Sequence, residues 1–169
     1  NYPVGTNNVA LGDESLRDIT TGSNNTAVGR ASLTNVEDGQ HNTSVGQNSV
    51  TLTTSGSYNT GVGSGALQSN TTASYNTAVG YQAGYSNTTG TQNVAVGRLA
   101  LLDNTTGGYN VALGNGSLEN NTTAGYNVAV GYQALYTNTT GTQHVAMGRQ
   151  ALYANTTGSQ NTAIGHRSL

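Results

Sequence analysis

Cysteine, lysine, phenylalanine and tryptophan are absent from the 169 residues, and proline and methionine occur once each. Without cysteine there is neither a disulfide framework nor a thiolate metal site. Charged residues make up 7% of the chain, for a formal net charge of −2. With five arginines and no lysine, phosphate-driven nucleic-acid binding is not expected, because it needs many cationic contacts. No apolar run approaches the ~20 residues of a membrane-crossing helix, so membrane insertion is not expected either. Leu, Ile and Val total 29 residues, about 17%, which is thin for an ordinary globular core. The high net charge that usually accompanies disorder is also missing. What the chain has in quantity is Thr (27), Gly (24) and Asn (22).

Those residues fall into a repeat, the first thing to look for in a biased sequence. Gly12, Gly29, Gly46, Gly63, Gly80, Gly97, Gly114, Gly131, Gly148 and Gly165 are each 17 residues apart. Counted from the Asn four residues earlier, the unit reads N-[T/V]-A-V-G-x-x-[A/S]-L-x-x-N-T-T-G-x-[Y/Q], with these glycines at position 5. Position 1 is Asn from Asn8 to Asn161, except for His144. Position 15 is Gly in eight units, with Ala73 and Ala124 in the other two. Glycines so placed read as turn residues.

A 17-residue unit is too short for a helix pair, and Thr and Asn are poor helix formers. The stretch before Gly alternates with period 2, as a strand does. Position 4 is Val, Leu, Ile or Met throughout, and position 2 is Val or Thr, so the larger apolar side chains assign positions 2 and 4 to the interior. Position 9 (Leu16, Leu33, Val50 and their equivalents) supplies an apolar row from the opposite wall. The expectation is all-β: a parallel β-solenoid, a narrow roll of ten coils about 48 Å long at ~4.8 Å per coil. Asn rows at positions 1 and 12 (Asn70, Asn87, Asn104, Asn121, Asn138, Asn155) are expected to stack as ladders and bond turn groups inside the roll. The small residues at positions 3 and 8 read as a face against which another surface packs, which predicts a homo-oligomer.

The chain reads as one domain, 1–169. Residues 1–55 are divergent and more acidic, with Asp13, Glu14, Asp18, Glu37 and Asp38, and with Ile19, Val36 and Thr53 in place of the corner Asn. Residues 56–169 are regular. No initiator Met or signal-like segment opens the chain, and the last unit stops at Leu169 in mid-coil, so the expectation is a fragment of a longer fibre.

The segment Asn76-Thr77-Ala78-Val79-Gly80-Tyr81-Gln82-Ala83 resembles the head repeat of YadA-like trimeric autotransporter adhesins. It is equally similar to the N-T-A-V-G-Y-Q-A-L repeats of bacteriophage tail fibres and long bacterial surface proteins. The resemblance runs through all ten units. It implies a left-handed β-roll, three rolls packed about a three-fold axis, an extracellular place on a virion tail fibre or bacterial cell surface, and a role in attachment. The adhesin unit is shorter, and the extra residues here fall in the N-T-T-G corner.

Candidate binding residues lie among the ten tyrosines. Position 6 reads Tyr81-Arg98-Asn115 and then Tyr132-Arg149-His166, a super-repeat of three coils. Stacking coils would set Arg98 over Tyr81 and Arg149 over Tyr132 within cation–π reach. Tyrosine offers large contact area at low entropic cost, so these four residues are the candidate glycan-contact surface, with aromatic ladders that stiffen the rod as the alternative. No catalytic, cofactor or metal site is expected: His41, His144 and His166 sit at three different coil positions, and no carboxylate pair is marked out for glycoside hydrolysis. The N-T-T corners match glycosylation sequons but read as turns. The function expected is therefore a structural, adhesive rod that spaces or presents a receptor-binding region. The alternatives are a filament subunit stacking end to end and, as a minor one, an ice-binding solenoid.

Overall fold

The computed structural model describes residues 5–169. Residues 1–4, the start of the divergent segment 1–55, lie outside the described residues. Ten three-residue strands, from β1 (Val9–Leu11) to β10 (Thr162–Ile164), each begin 17 residues after the last and form a single parallel sheet in sequence order. The register never slips: Thr26 pairs with Val9 and Thr43, and Val145 with Thr162. The chain is a parallel β-solenoid of 17-residue coils, with no helix among the described residues.

Hydrogen bonding between coils continues through the turns. Thr26 N–H donates to the Asn42 carbonyl at 2.8 Å in the next coil, and Gly29 N–H to the Leu11 carbonyl at 2.7 Å in the previous one. At the far wall Leu33 N–H donates to Ser49 O (3.1 Å), and at the last corner His41 N–H donates to Ser23 O (3.1 Å). Among the described residues no buried side-chain polar atom lacks a partner.

The strand faces inward with position 3, not with positions 2 and 4. Ala27, Ser44, Ala78, Ala112, Ala129 and Ala146 are fully buried, whereas Val45, Val79 and Val96 are each 37% exposed and Met147 41%. This overturns the expected facing. The two walls of the roll are so close that position 3 meets positions 8 and 9 directly: a Cβ on Gly61 would lie 2.5 Å from Val50 Cγ2 and 2.7 Å from Ser49 Oγ. Ser32 Oγ, at position 8, donates to Ser44 Oγ at 2.7 Å. Only small side chains fit, so the Ala and Ser rows are the inside of the same coil and not the seat of a second subunit. The position 9 row is core as expected, with Leu33, Leu101, Leu118 and Leu135 buried.

Turn geometry departs from a glycine-only scheme. Position 5 glycines do take positive φ, as at Gly97 (+133°), and stand where a Cβ would lie 2.5 Å from the Gly114 carbonyl oxygen. Position 15 glycines do not take positive φ; they are small because coils approach closely there, a Cβ on Gly39 lying 2.5 Å from Gly56 O. Left-handed backbone instead recurs at positions 7, 9 and 17 on ordinary residues, such as Gln82 (52°), Leu118 (51°) and Tyr109 (61°). Leucine and valine rarely adopt this region. Inter-coil hydrogen bonds at every one of these turns hold them in it.

Candidate functional surface

Two asparagine rows line the corner beside the strand. Position 1 uses both ends of its amide: Asn42 Nδ2 donates to Gly56 O (2.8 Å) in its own coil, and its Oδ1 accepts the Asn59 N–H (2.9 Å) of the next. Position 12 forms a second ladder, Asn104 to Asn87 and Asn121 to Asn104 at 2.9 Å each. Asn70, Asn87, Asn104, Asn121 and Asn138 are buried, so the sequon amides of the folded roll are structural. The position 13 hydroxyls are used too: Thr88 Oγ1 donates to Thr105 O at 3.0 Å. Position 14 leaves an exposed threonine row (Thr72, Thr89, Thr106, Thr123, Thr140, Thr157).

The outer surface carries three kinds of column. On the sheet, positions 2 and 4 present Val, Thr, Leu, Met and Ile side chains over all ten strands, half-buried or exposed and with nothing packed on them. Alternating burial marks such columns only once the inward row is known, which is why the sequence alone put them inside.

Before the strand, position 17 is a stack. His41 and Tyr58 lie 4.8 Å apart between centroids, Tyr58 and Tyr75 5.1 Å, and Tyr109 and Tyr126 4.9 Å, all nearly parallel. Beyond them Gln160 Nε2 donates to Gln143 Oε1 (3.1 Å). Each of these rings gives at least one face to another ring, and Tyr58 gives both.

After the strand, position 6 holds the candidate residues. Tyr81 and Tyr132 are 51% and 45% exposed, and Arg98 and Arg149 are exposed. Arg149 Cζ sits 5.8 Å from the Tyr132 centroid; the equivalent contact of Arg98 with Tyr81 is not formed. Neither tyrosine stacks on another ring. Beside them run position 7, where Gln150 donates to Gln133 Oε1 (3.1 Å) and Arg167 to Gln150 Oε1 (2.9 Å), and position 10, where Tyr136 and Tyr153 stack at 5.3 Å.

The three-coil super-repeat has a packing basis that sequence reasoning missed. A Cβ on Gly65 would lie 3.4 Å from Tyr85 Cδ2, and one on Gly116 3.6 Å from Tyr136 Cδ2. Each position 10 tyrosine thus leans over a notch left by glycine one coil earlier. The signal was present in the sequence, since Gly65 and Gly116 are 51 residues apart, as are Tyr85 and Tyr136. Partial burial, then the nearby Glu119 carboxylate that accepts its hydroxyl at 3.3 Å, raises the Tyr136 phenol above its ordinary pKa. In the divergent first coil Arg17 bonds Asp18 (3.0 and 3.1 Å), which lowers the Asp18 carboxyl.

Among the described residues there is no group of three or more His, Asp or Glu side chains able to hold a metal ion, and no helix is long and apolar enough to cross a membrane. No family model, curated protein or solved structure matches the chain. The likeness to adhesin heads and tail-fibre repeats therefore rests on the repeat motif itself.

Proposed function

We propose that the chain is the shaft of a homotrimeric adhesive rod, part of a phage tail fibre or bacterial surface adhesin, working outside the cell to space or present a receptor-binding region. The observation that carries this reading is the unpartnered apolar face formed by positions 2 and 4. A monomer would leave the position 4 column of Val, Leu, Met and Ile, and a position 2 column divided between Val and Thr, facing water along the whole ~48 Å of the sheet. A roll whose core is mostly Ala, Ser and a single Leu row buries little apolar surface by itself, so covering that face with further copies supplies what the interior lacks. The number three comes from the resemblance of the repeat.

Uninterrupted inter-coil hydrogen bonding and two amide ladders suit a stiff spacer, because each coil is fixed to both neighbours. The exposed position 6 column supports attachment to a host-surface glycan, with Tyr81, Arg98, Tyr132 and Arg149 as its contact residues. The test is assembly. Val96→Lys with Val130→Lys places ammonium groups on the outward face without touching the core, and should convert the trimer to a folded monomer. A variant that keeps the wild-type mass would remove the assignment of this face.

A further inference from the structure

The position 6 surface carries its features twice. Tyr81 with Gln82 and Arg98, and Tyr132 with Gln133 and Arg149, occupy identical coil positions three coils apart, or ~14 Å along the axis. The register is unbroken between them, so the two patches stand in one column of the same face. Neither tyrosine stacks on another ring, whereas the position 17 tyrosines each give at least one face to a neighbouring ring. Neither arginine is paired with a carboxylate: among the described residues only Arg17 forms salt bridges. Acidic groups stand at positions 10 and 11: Glu119 Oε1 accepts the Tyr136 hydroxyl while its Oε2 lies over the Gly116 notch at position 7, 2.8 Å from where a Cβ would stand, and Asp103 is exposed.

We propose that the two patches together bind one linear polysaccharide bearing carboxylate groups, laid along the rod axis. This rests on the adhesive reading above, and it names the ligand class and its direction. A tyrosine face is apolar and suits the C–H face of a sugar ring. A guanidinium matches a carboxylate with two parallel hydrogen bonds, and the glutamine amides serve hydroxyl groups. Two patches of the same residue types in one column recognise a polymer better than a monosaccharide, since engagement of the first raises the effective concentration at the second.

The test uses oligogalacturonides of about three and about nine sugars, titrated by calorimetry against the whole chain, with light scattering of each protein in parallel. The longer oligomer should bind at least ~10-fold more tightly than the shorter, and binding should weaken as salt rises. Either Tyr81→Ala or Tyr132→Ala should abolish the length advantage, as should Arg98→Gln or Arg149→Gln. Tyr58→Ala with Tyr126→Ala, at position 17, should leave binding unchanged. Equal affinity for both lengths, equal binding of a neutral maltooligosaccharide, no binding at all, or loss through the position 17 variant instead would each overturn the proposal. The scattering separates the two readings: a trimer that binds nothing overturns the polysaccharide alone, and a binding monomer overturns the trimer alone.

Discussion

Asn104 donates one amide hydrogen to Asn87 Oδ1 in the previous coil and the other to the Gly107 carbonyl of its own corner, both at 2.9 Å. Its own Oδ1 accepts from Asn121 at 2.9 Å. One side chain thus closes a turn and joins three coils, and the arrangement repeats along the row. Asn104→Ala strands one buried acceptor, Asn87 Oδ1, and one Asn121 amide hydrogen, at roughly 1–3 kcal/mol for each group left unsatisfied, while the Gly107 carbonyl keeps the Asn93 amide at 2.9 Å. Urea unfolding should show a loss of about 3 kcal/mol or more; a loss within 0.5 kcal/mol, the scale of a neutral surface change, would contradict the ladder. Because the amide is enclosed, the folded protein should also resist N-glycosylation by oligosaccharyltransferase in vitro at the five N-T-T sites whose Asn is buried, Asn70, Asn87, Asn104, Asn121 and Asn138.

The two glycine classes should respond differently to a methyl group. Gly97 has φ of +133° and a Cβ there meets the Gly114 backbone, which cannot give. Gly97→Ala is expected to cost about 3 kcal/mol or more. Gly39 approaches the Gly56 carbonyl oxygen as closely, at 2.5 Å for a Cβ, but has no positive φ to violate and belongs to a row that already holds Ala73 and Ala124, so Gly39→Ala should cost clearly less in the same unfolding experiment.

Ala112 is fully buried in the strand centre, between walls that leave no room. Ala112→Val should overpack the roll and cost about 1–3 kcal/mol. Val111→Thr, one residue away on the outward face, should cost the isolated roll little. The opposite order in thermal melts would restore the interior to positions 2 and 4.

His144 breaks the first asparagine row. Its Nδ1 accepts the Asn161 N–H at 3.2 Å in place of the usual Oδ1, but the ring makes no bond to the corner carbonyl that asparagine serves elsewhere in the row. His144→Asn completes the ladder and should stabilise the roll by about 1 kcal/mol, the scale of one net hydrogen bond, seen as a higher melting temperature.

The architecture was legible because the 17-residue period leaves few alternatives, and the amide rows followed from Asn stacking on Asn. Facing was not legible. Period-2 alternation shows that two faces differ, and apolar size then pointed the wrong way, since in this roll the narrowest space takes alanine and the valines face out. The left-handed turns were also hidden, because leucine at position 9 and glutamine at position 7 do not announce positive φ. Their trace was the occasional glycine in the same columns, Gly84 at position 9 and Gly65 and Gly116 at position 7. The candidate tyrosines were found from spacing alone, yet the glycine notches that seat Tyr85 and Tyr136 needed coordinates, because they pair residues from neighbouring coils.

The most direct measurement is the solution mass by light scattering across a wide range of protein concentration. A mass of three chains that does not change with dilution is the expected result, and it should fall to one chain in the Val96→Lys, Val130→Lys variant. A folded wild-type monomer, or a mass that climbs with concentration as coils stack end to end, would contradict the trimeric rod.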